Sequence, residues 1–206
     1  MDPRTLEFYQ SHSREWAKAL PHDYNPRLDP FLDRLDPRAR ILELGCGDGR
    51  DAARMIARGF DVHASDGSPE MARMASERLG REVPVMRFGE LEAAGEYDAC
   101  WCSASLLHLD EEALPGVLAR IHRALRPGGW HFASFKGGDG GHRDRLGRFY
   151  SYIPRARLEA AYRRAGEWEL LEIAEEMGGG FDKLPTRWLF VTARRGASQV
   201  RERRIE

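Results

Sequence analysis

The chain has 206 residues, 42% of them hydrophobic, and its 32 basic and 33 acidic side chains leave a formal charge of −1. That size and apolar content fit one domain with a self-sufficient core, and the balance of charge removes the field that a nucleic-acid or anionic-membrane binder relies on. Three cysteines, apolar runs far short of the ~20 residues that span a bilayer, and an N-terminus "MDPRTLEFYQSHSREW" without a signal core or transit-peptide character point to a cytoplasmic protein with no disulfide framework.

In chain order, two helical pieces are expected at residues 6–20 and 27–35, separated by the turn-rich "PHDYNP". An alternation follows: "RILEL" as strand, "RDAARMIARG" as helix, "FDVHAS" as strand, "SPEMARMASERLG" as helix, "VPVMRF" as strand and "YDACWC" as strand. A helix over residues 111–125 places Leu114, Val117, Leu118, Ile121 and Leu125 at steps of 3 and 4, accepts Pro115 in its first turn, and stops at "RPGG" before the strand "WHFASFK". Such alternation implies right-handed crossovers and a mainly parallel sheet covered on both faces. Helix "RARLEAAYRRAG" then leads into "EWELLEIAEE" and "TRWLFVTARR", two strands joined too closely for a helical crossover and therefore antiparallel. Their connection, residues 177–185, should emerge at the carboxyl edge, where open α/β sheets bind ligands. The glycine-rich stretch 136–148 is the one low-complexity patch and is expected as a loop. Residues 1–195 thus form one domain, with 1–37 a helical cap over an α/β core at 38–195, and 196–206 a charged tail.

The first strand-to-helix turn, Gly45–Gly49 in "ILELGCGDGRDAAR", has three glycines in five positions, so a ligand can lie directly against backbone. A dinucleotide fingerprint starting at Gly45 needs glycine where Arg50 stands, and no Gly-Lys-Ser/Thr follows to make a P-loop. Glu43 and Asp48 put negative charge where a phosphate would sit and suit a cationic or zwitterionic ligand better.

"ELGCGDGRDA" resembles motif I of the class I S-adenosylmethionine-dependent methyltransferases, and "VHASDGSPEMARMASER", "EYDACWCSASLLHL" and "IHRALRPGGWHFASF" resemble the motifs that follow it in that family. Residues 38–135 carry the likeness. The fold it implies is a doubly wound, mainly parallel, seven-stranded sheet with an antiparallel last strand. The phrases "SLLHL", "ASFK" and "RWLFVTARR" are most similar to small bacterial tellurite-resistance-type or general small-molecule methyltransferases. The resemblance implies S-adenosylmethionine as cofactor, S-adenosylhomocysteine as product and a small-molecule methyl acceptor; the charge balance and short apolar runs point to no nucleic-acid or membrane partner, and a monomer or homodimer is expected. It implies that Gly45, Cys46, Gly47, Gly49 and Arg50 bring backbone to the methionine and ribose, and that Asp66, at the end of the second strand, accepts both ribose hydroxyls. Gly67 and Ser68 would flank the adenine. Phe88, Gly89 and Glu90 would cover its face and meet its edge. Trp101, Cys102 and Ser103 would contact the methionyl part, largely through backbone, and Tyr9 and Tyr24 would close over the cofactor.

Cys100 and Cys102 point to one side of their strand, but no histidine has zinc-type spacing, so no metal is expected. Methyl transfer is a displacement at a sulfonium-activated carbon that asks the protein to align, dry and, for a hydroxyl or ammonium nucleophile, deprotonate. His108, after the fourth strand, is the candidate base. Two rivals stay open: an NAD(P)-binding oxidoreductase of doubly wound fold, and a non-catalytic S-adenosylmethionine-binding protein.

Overall fold

The computed structural model describes residues 2–19, 24–179 and 184–197. Four parallel strands form the centre of the sheet in the order β2 (Asp61–Ser65), β1 (Arg40–Leu44), β3 (Tyr97–Cys102) and β4 (Leu125–Gly137). Strand β8 (Pro185–Arg195) runs antiparallel against β4 and separates it from β7 (Trp168–Gly179), which is antiparallel to β8 and hence parallel to the centre. The charged tail beyond residue 197 and the predicted turn residues 20–23 and 180–183 lie outside the described residues.

The strands are apolar at nearly every position because both faces are covered. Along β3 the alternation sends Ala99 and Trp101 to one layer and Cys100 and Cys102 to the other. The first layer is α2 (Leu28–Leu32), α3 (Arg50–Ala57) and α4 (Pro69–Leu79), which bring Phe31, Met55 and Ala75 against Trp101 and Phe132. The second is α5 (Leu114–Ala124) and α6 (Arg155–Ala165), where Leu118, Ile121, Leu158 and Tyr162 pack on Leu42, Cys100 and Val191. Local chemistry sets the helix ends. Ser68 caps α4 by accepting the Met71 N–H at 3.4 Å, Pro69 follows it, and Gly80 closes the helix at φ +64°.

Four expectations need correction. "VPVMRF" is not a strand: only Val85 bridges to Asp66, because Pro84 has no N–H to give, and Phe88–Glu90 then winds into a 3₁₀ turn. The glycine-rich stretch is not a loop but the start of a hairpin, β5 (Gly140–Arg143) with β6 (Phe149–Ile153), whose far end pairs with the last two residues of β4. The sheet therefore has eight strands rather than seven. Strand β7 also outlasts its predicted end by three residues, reaching Gly179 opposite Pro185.

Ahead of the sheet lies α1 (Pro3–Ala19), capped by Asp2, whose Oδ2 accepts from both the N–H and the hydroxyl of Thr5 at 2.9 Å. No helix among the described residues is long and apolar enough to cross a membrane.

Candidate active site

A cavity of about 1040 Å³ opens at the carboxyl edge of the sheet, between α1, the segment around α2, the β1–α3 turn and the ends of β4 and β8. That places it at the upper end of the roughly 300–1,000 Å³ of an ordinary ligand pocket.

The glycine turn forms one wall. Gly45 has φ +76°, and a Cβ there would stand 2.5 Å from Ser105 Cβ, so both backbone and space demand glycine. The Gly47 N–H donates to Asp66 Oδ2 at 2.9 Å, and the Ser68 N–H donates to Asp66 Oδ1 at 2.8 Å. Asp66 thus presents an aligned carboxylate into the cavity. Burial pushes its pKa up to about 6, against the backbone donors of Ser68, Gly47 and Gly67 that favour the charged form.

Acidic groups converge here. Glu43 is only 3% exposed, and its Oε2 is the one buried side-chain oxygen or nitrogen among the described residues with no hydrogen-bond partner. Burial, then the charge of Asp51, holds the Glu43 carboxyl well above the usual range. Asp48 is buried but answered by Arg50 Nε at 2.9 Å and Arg78 Nη2 at 2.8 Å. Arg50 also donates to the Ala17 carbonyl, tying the turn to α1. An orphaned acidic oxygen in a ring of carboxylates fits a ligand that brings positive charge and hydroxyl or ammonium donors.

Opposite, α1 is fastened across the mouth. Tyr9 donates its hydroxyl to His108 Nε2 at 3.0 Å, because His108 Nδ1–H is committed to the Phe149 carbonyl at 2.6 Å. Burial lowers the His108 pKa to about 4, so the imidazole is neutral. The Phe149 N–H donates to Thr5 Oγ1 at 2.8 Å, and Arg143 pairs with Asp2 at 2.8 Å, so α1 and the β5–β6 hairpin hold each other.

Of the residues expected at the cofactor, Tyr9, Tyr24, Glu43, Gly45, Cys46 and Gly47 line this cavity, as do Arg50, Asp66, Ser103 and His108. Tyr24 is turned partly to structure, its hydroxyl bonded to Asp29 Oδ2 at 3.0 Å. The others stand behind the wall. Gly49 starts α3, Ser68 caps α4, and Gly67 lies under Leu6 of α1. Phe88 packs into the core beside Gly45, while Gly89 and Glu90 of the same 3₁₀ turn are exposed to solvent. The Trp101 ring stacks on Phe132 at 4.1 Å and donates Nε1–H to Asp51 at 2.8 Å, while Cys102 faces the other layer, 3.7 Å from Cys100.

Two residues that the sequence left unmarked organise the site. Asn25 donates its backbone N–H to Asp51 Oδ1 and its side-chain amide to Ser103 Oγ, both at 2.7 Å. Asp51 accepts from Asn25 and Trp101 together, locking the cap to the sheet. The only sequence sign of Asp51 was its place two residues past the last glycine.

The histidines have no zinc-type spacing in the sequence, yet the sheet brings one of them to the thiols. His131 brings a ring nitrogen within 4.8 Å of the Cys100 and Cys102 sulfurs, which pairing of β3 with β4 (Cys100 opposite His131) makes inevitable. Both nitrogens are already used: Nδ1–H donates to the Cys100 carbonyl at 3.1 Å and Nε2 accepts from Tyr162 at 3.0 Å.

Comparison with known proteins agrees with this geometry. A family profile described as "Methyltransferase domain" matches residues 41–129. A ubiquinone biosynthesis O-methyltransferase of Xanthomonas oryzae is 33% identical over 122 residues, covering 55% of this chain and 50% of the relative. A glycine/sarcosine N-methyltransferase of Halorhodospira halochloris is 30% identical over 141 residues, covering 62% and 53%. The chain spans about half the length of these curated relatives. The crystal structure of Burkholderia thailandensis 1,6-didemethyltoxoflavin-N1-methyltransferase, with 1,6-didemethyltoxoflavin and S-adenosylhomocysteine bound, superposes with a TM-score of 0.73 at 25% identity, covering 94% of this chain and 87% of that one.

Proposed function

We propose that this chain, which belongs to the class I S-adenosylmethionine-dependent methyltransferases, binds S-adenosylmethionine in the 45–49 cradle and passes its methyl group to a small-molecule acceptor in the cytoplasm. The observation that carries this is the unpartnered Oε2 of buried Glu43 beside a glycine turn ringed by carboxylates. A dinucleotide would crowd two phosphates onto the acidic groups Asp48, Asp51 and Asp66, which already line this end of the cavity. The cofactor supplies a methyl group on a sulfonium leaving group. Everything else falls to the protein's own residues. Asp66 holds the ribose hydroxyls, backbone at Gly45, Cys46 and Gly47 fixes the amino-acid end, and α1, with Tyr9, closes over both and excludes water. Residues 1–195 act as one domain, with 1–37 as its lid.

A thermal-shift comparison tests this directly. S-adenosylhomocysteine at about a hundred times its dissociation constant should add about 2.7 kcal/mol to stability and raise Tm, whereas NADH should add nothing. Stabilisation by NADH alone would establish the oxidoreductase instead. Cofactor binding without turnover on any acceptor would establish the non-catalytic rival.

Affinity should also follow Asp66. Its carboxyl ionises at about 6 in the folded chain rather than the model-compound 3.8, so the stability it confers is full below pH 3.8 and lost as pH rises through about 6. Ribose hydroxyls donate to the ionised form. S-adenosylhomocysteine affinity, followed by calorimetry, is therefore expected to rise with pH through about 6, and Asp66→Asn to lose that dependence. An unchanged profile in the variant would assign the titration elsewhere.

A further inference from the structure

We propose that the methyl acceptor is a planar, conjugated acid that reacts as its anion, held by Lys136 on a flat floor built from β4 and β8. This rests on the methyltransferase reading and adds the class of acceptor to it.

The floor follows from strand register. Phe132, Ser134 and Lys136 project from β4 to the cavity side, and Thr192, Phe190 and Trp188 stand directly opposite them on β8. Successive rings lie nearly parallel: Phe132 and Phe190 at 23°, Phe190 and Trp188 at 17°. Such a surface accepts a flat π-system at offset-stacking distance. It already carries one flat group, since the Arg27 guanidinium lies 3.7 Å from the Phe190 centroid and pairs with Glu176 on β7.

Charge divides the cavity. Carboxylates gather at the glycine turn, whereas the β4 end carries Lys136, which is 4% exposed with Nζ 3.6 Å from the Tyr150 centroid. Arg148 lies beyond that same ring, paired with Asp144 at 2.6 Å. A protonated amine entering here would meet like charge in a dry site, and it would need a base. His108 is a poor one: burial, with Arg148 and Lys136 nearby, lowers its pKa to about 4, and its Nε2 is taken by Tyr9. An anion needs no base. Its lone pair forms the bond to the methyl carbon as the carbon–sulfur bond breaks, that bond's electron pair stays on sulfur, and the sulfonium and acceptor charges cancel with no proton to place.

The test is equilibrium binding to the full chain saturated with S-adenosylhomocysteine, at mildly alkaline pH. The probes are 4-nitrocatechol, a planar phenol ionised under those conditions, and dopamine, which shares the catechol ring but carries an ammonium. We expect 4-nitrocatechol to bind at least about 10-fold tighter than dopamine, and Lys136→Met to weaken it by about 10- to 100-fold with S-adenosylhomocysteine affinity unchanged and Lys136→Arg restoring part. Dopamine binding as well as or better than 4-nitrocatechol, no binding of 4-nitrocatechol, or a folded Lys136→Met chain that binds it normally would overturn the proposal. The wild-type comparison decides even if the variant does not fold. Failure to bind S-adenosylhomocysteine would instead remove the methyltransferase reading, and this inference with it.

Discussion

Replacing Asp66 with alanine is expected to weaken S-adenosylhomocysteine binding by about 10²- to 10³-fold, as measured by titration calorimetry. Two hydroxyl donors to one charged acceptor are worth about 1.5–3 kcal/mol each, and about 1.4 kcal/mol is a factor of ten. The variant also strips the Gly47 and Ser68 N–H groups of their partner, so the cradle itself loosens. Thermal stability separates the two contributions. The folded variant gains stability because a buried, costly carboxyl is gone, but loses it through two orphaned donors, so Tm should move little while affinity collapses. Unchanged affinity in Asp66→Ala would mean that the ribose is held elsewhere.

The second large effect is on folding. Gly45→Ala places a Cβ 2.5 Å from Ser105 Cβ at φ +76°, and Ser105 cannot retreat without giving up its 2.8 Å bond to the Leu44 carbonyl. Left-handed strain and overpacking together should cost about 2–4 kcal/mol, lowering Tm by about 5–15 °C for a chain of this size. Gly59→Ala provides the comparison. Its φ is +88° with nothing within 4 Å, so it should cost only the strain, about 1 kcal/mol. Equal losses in the two variants would show that the approach of Ser105 is not what fixes residue 45.

The contrast between these glycines shows what a sequence can and cannot display. The strand–turn–helix rhythm from "RILEL" to "SPEM", the capping Ser68 and the spacing of Leu114, Val117, Leu118 and Ile121 are local patterns, and the fold follows them. The turn at Gly45–Gly49 was legible for the same reason: its glycines stand between a strand and a helix that are neighbours along the chain. "VPVMRF" misleads because its apolar residues pack as the edge of a turn, with one bridge in place of a ladder. The hairpin hides because β5 is exposed throughout, which leaves no alternation to see, and its partner β6 is short. Asn25, Asp51 and His131 acquire their roles only across distances of tens of residues, through contacts that no window along the chain contains. Lys136 is a charged residue where strand periodicity expects an apolar one, and only the sheet shows that this position faces a cavity.

The place of β8 has a consequence for how the chain comes into being on the ribosome. Since β8 lies between β4 and β7 rather than outside them, β7 has no hydrogen-bonding neighbour until residues 185–195 have emerged. For that interval the β4 edge and both sides of β7 are unpaired, each a template for pairing with another chain. The charges along the waiting strand, Glu169, Glu172, Glu175 and Glu176, would keep nascent copies apart until β8 slots in and joins β4 to β7.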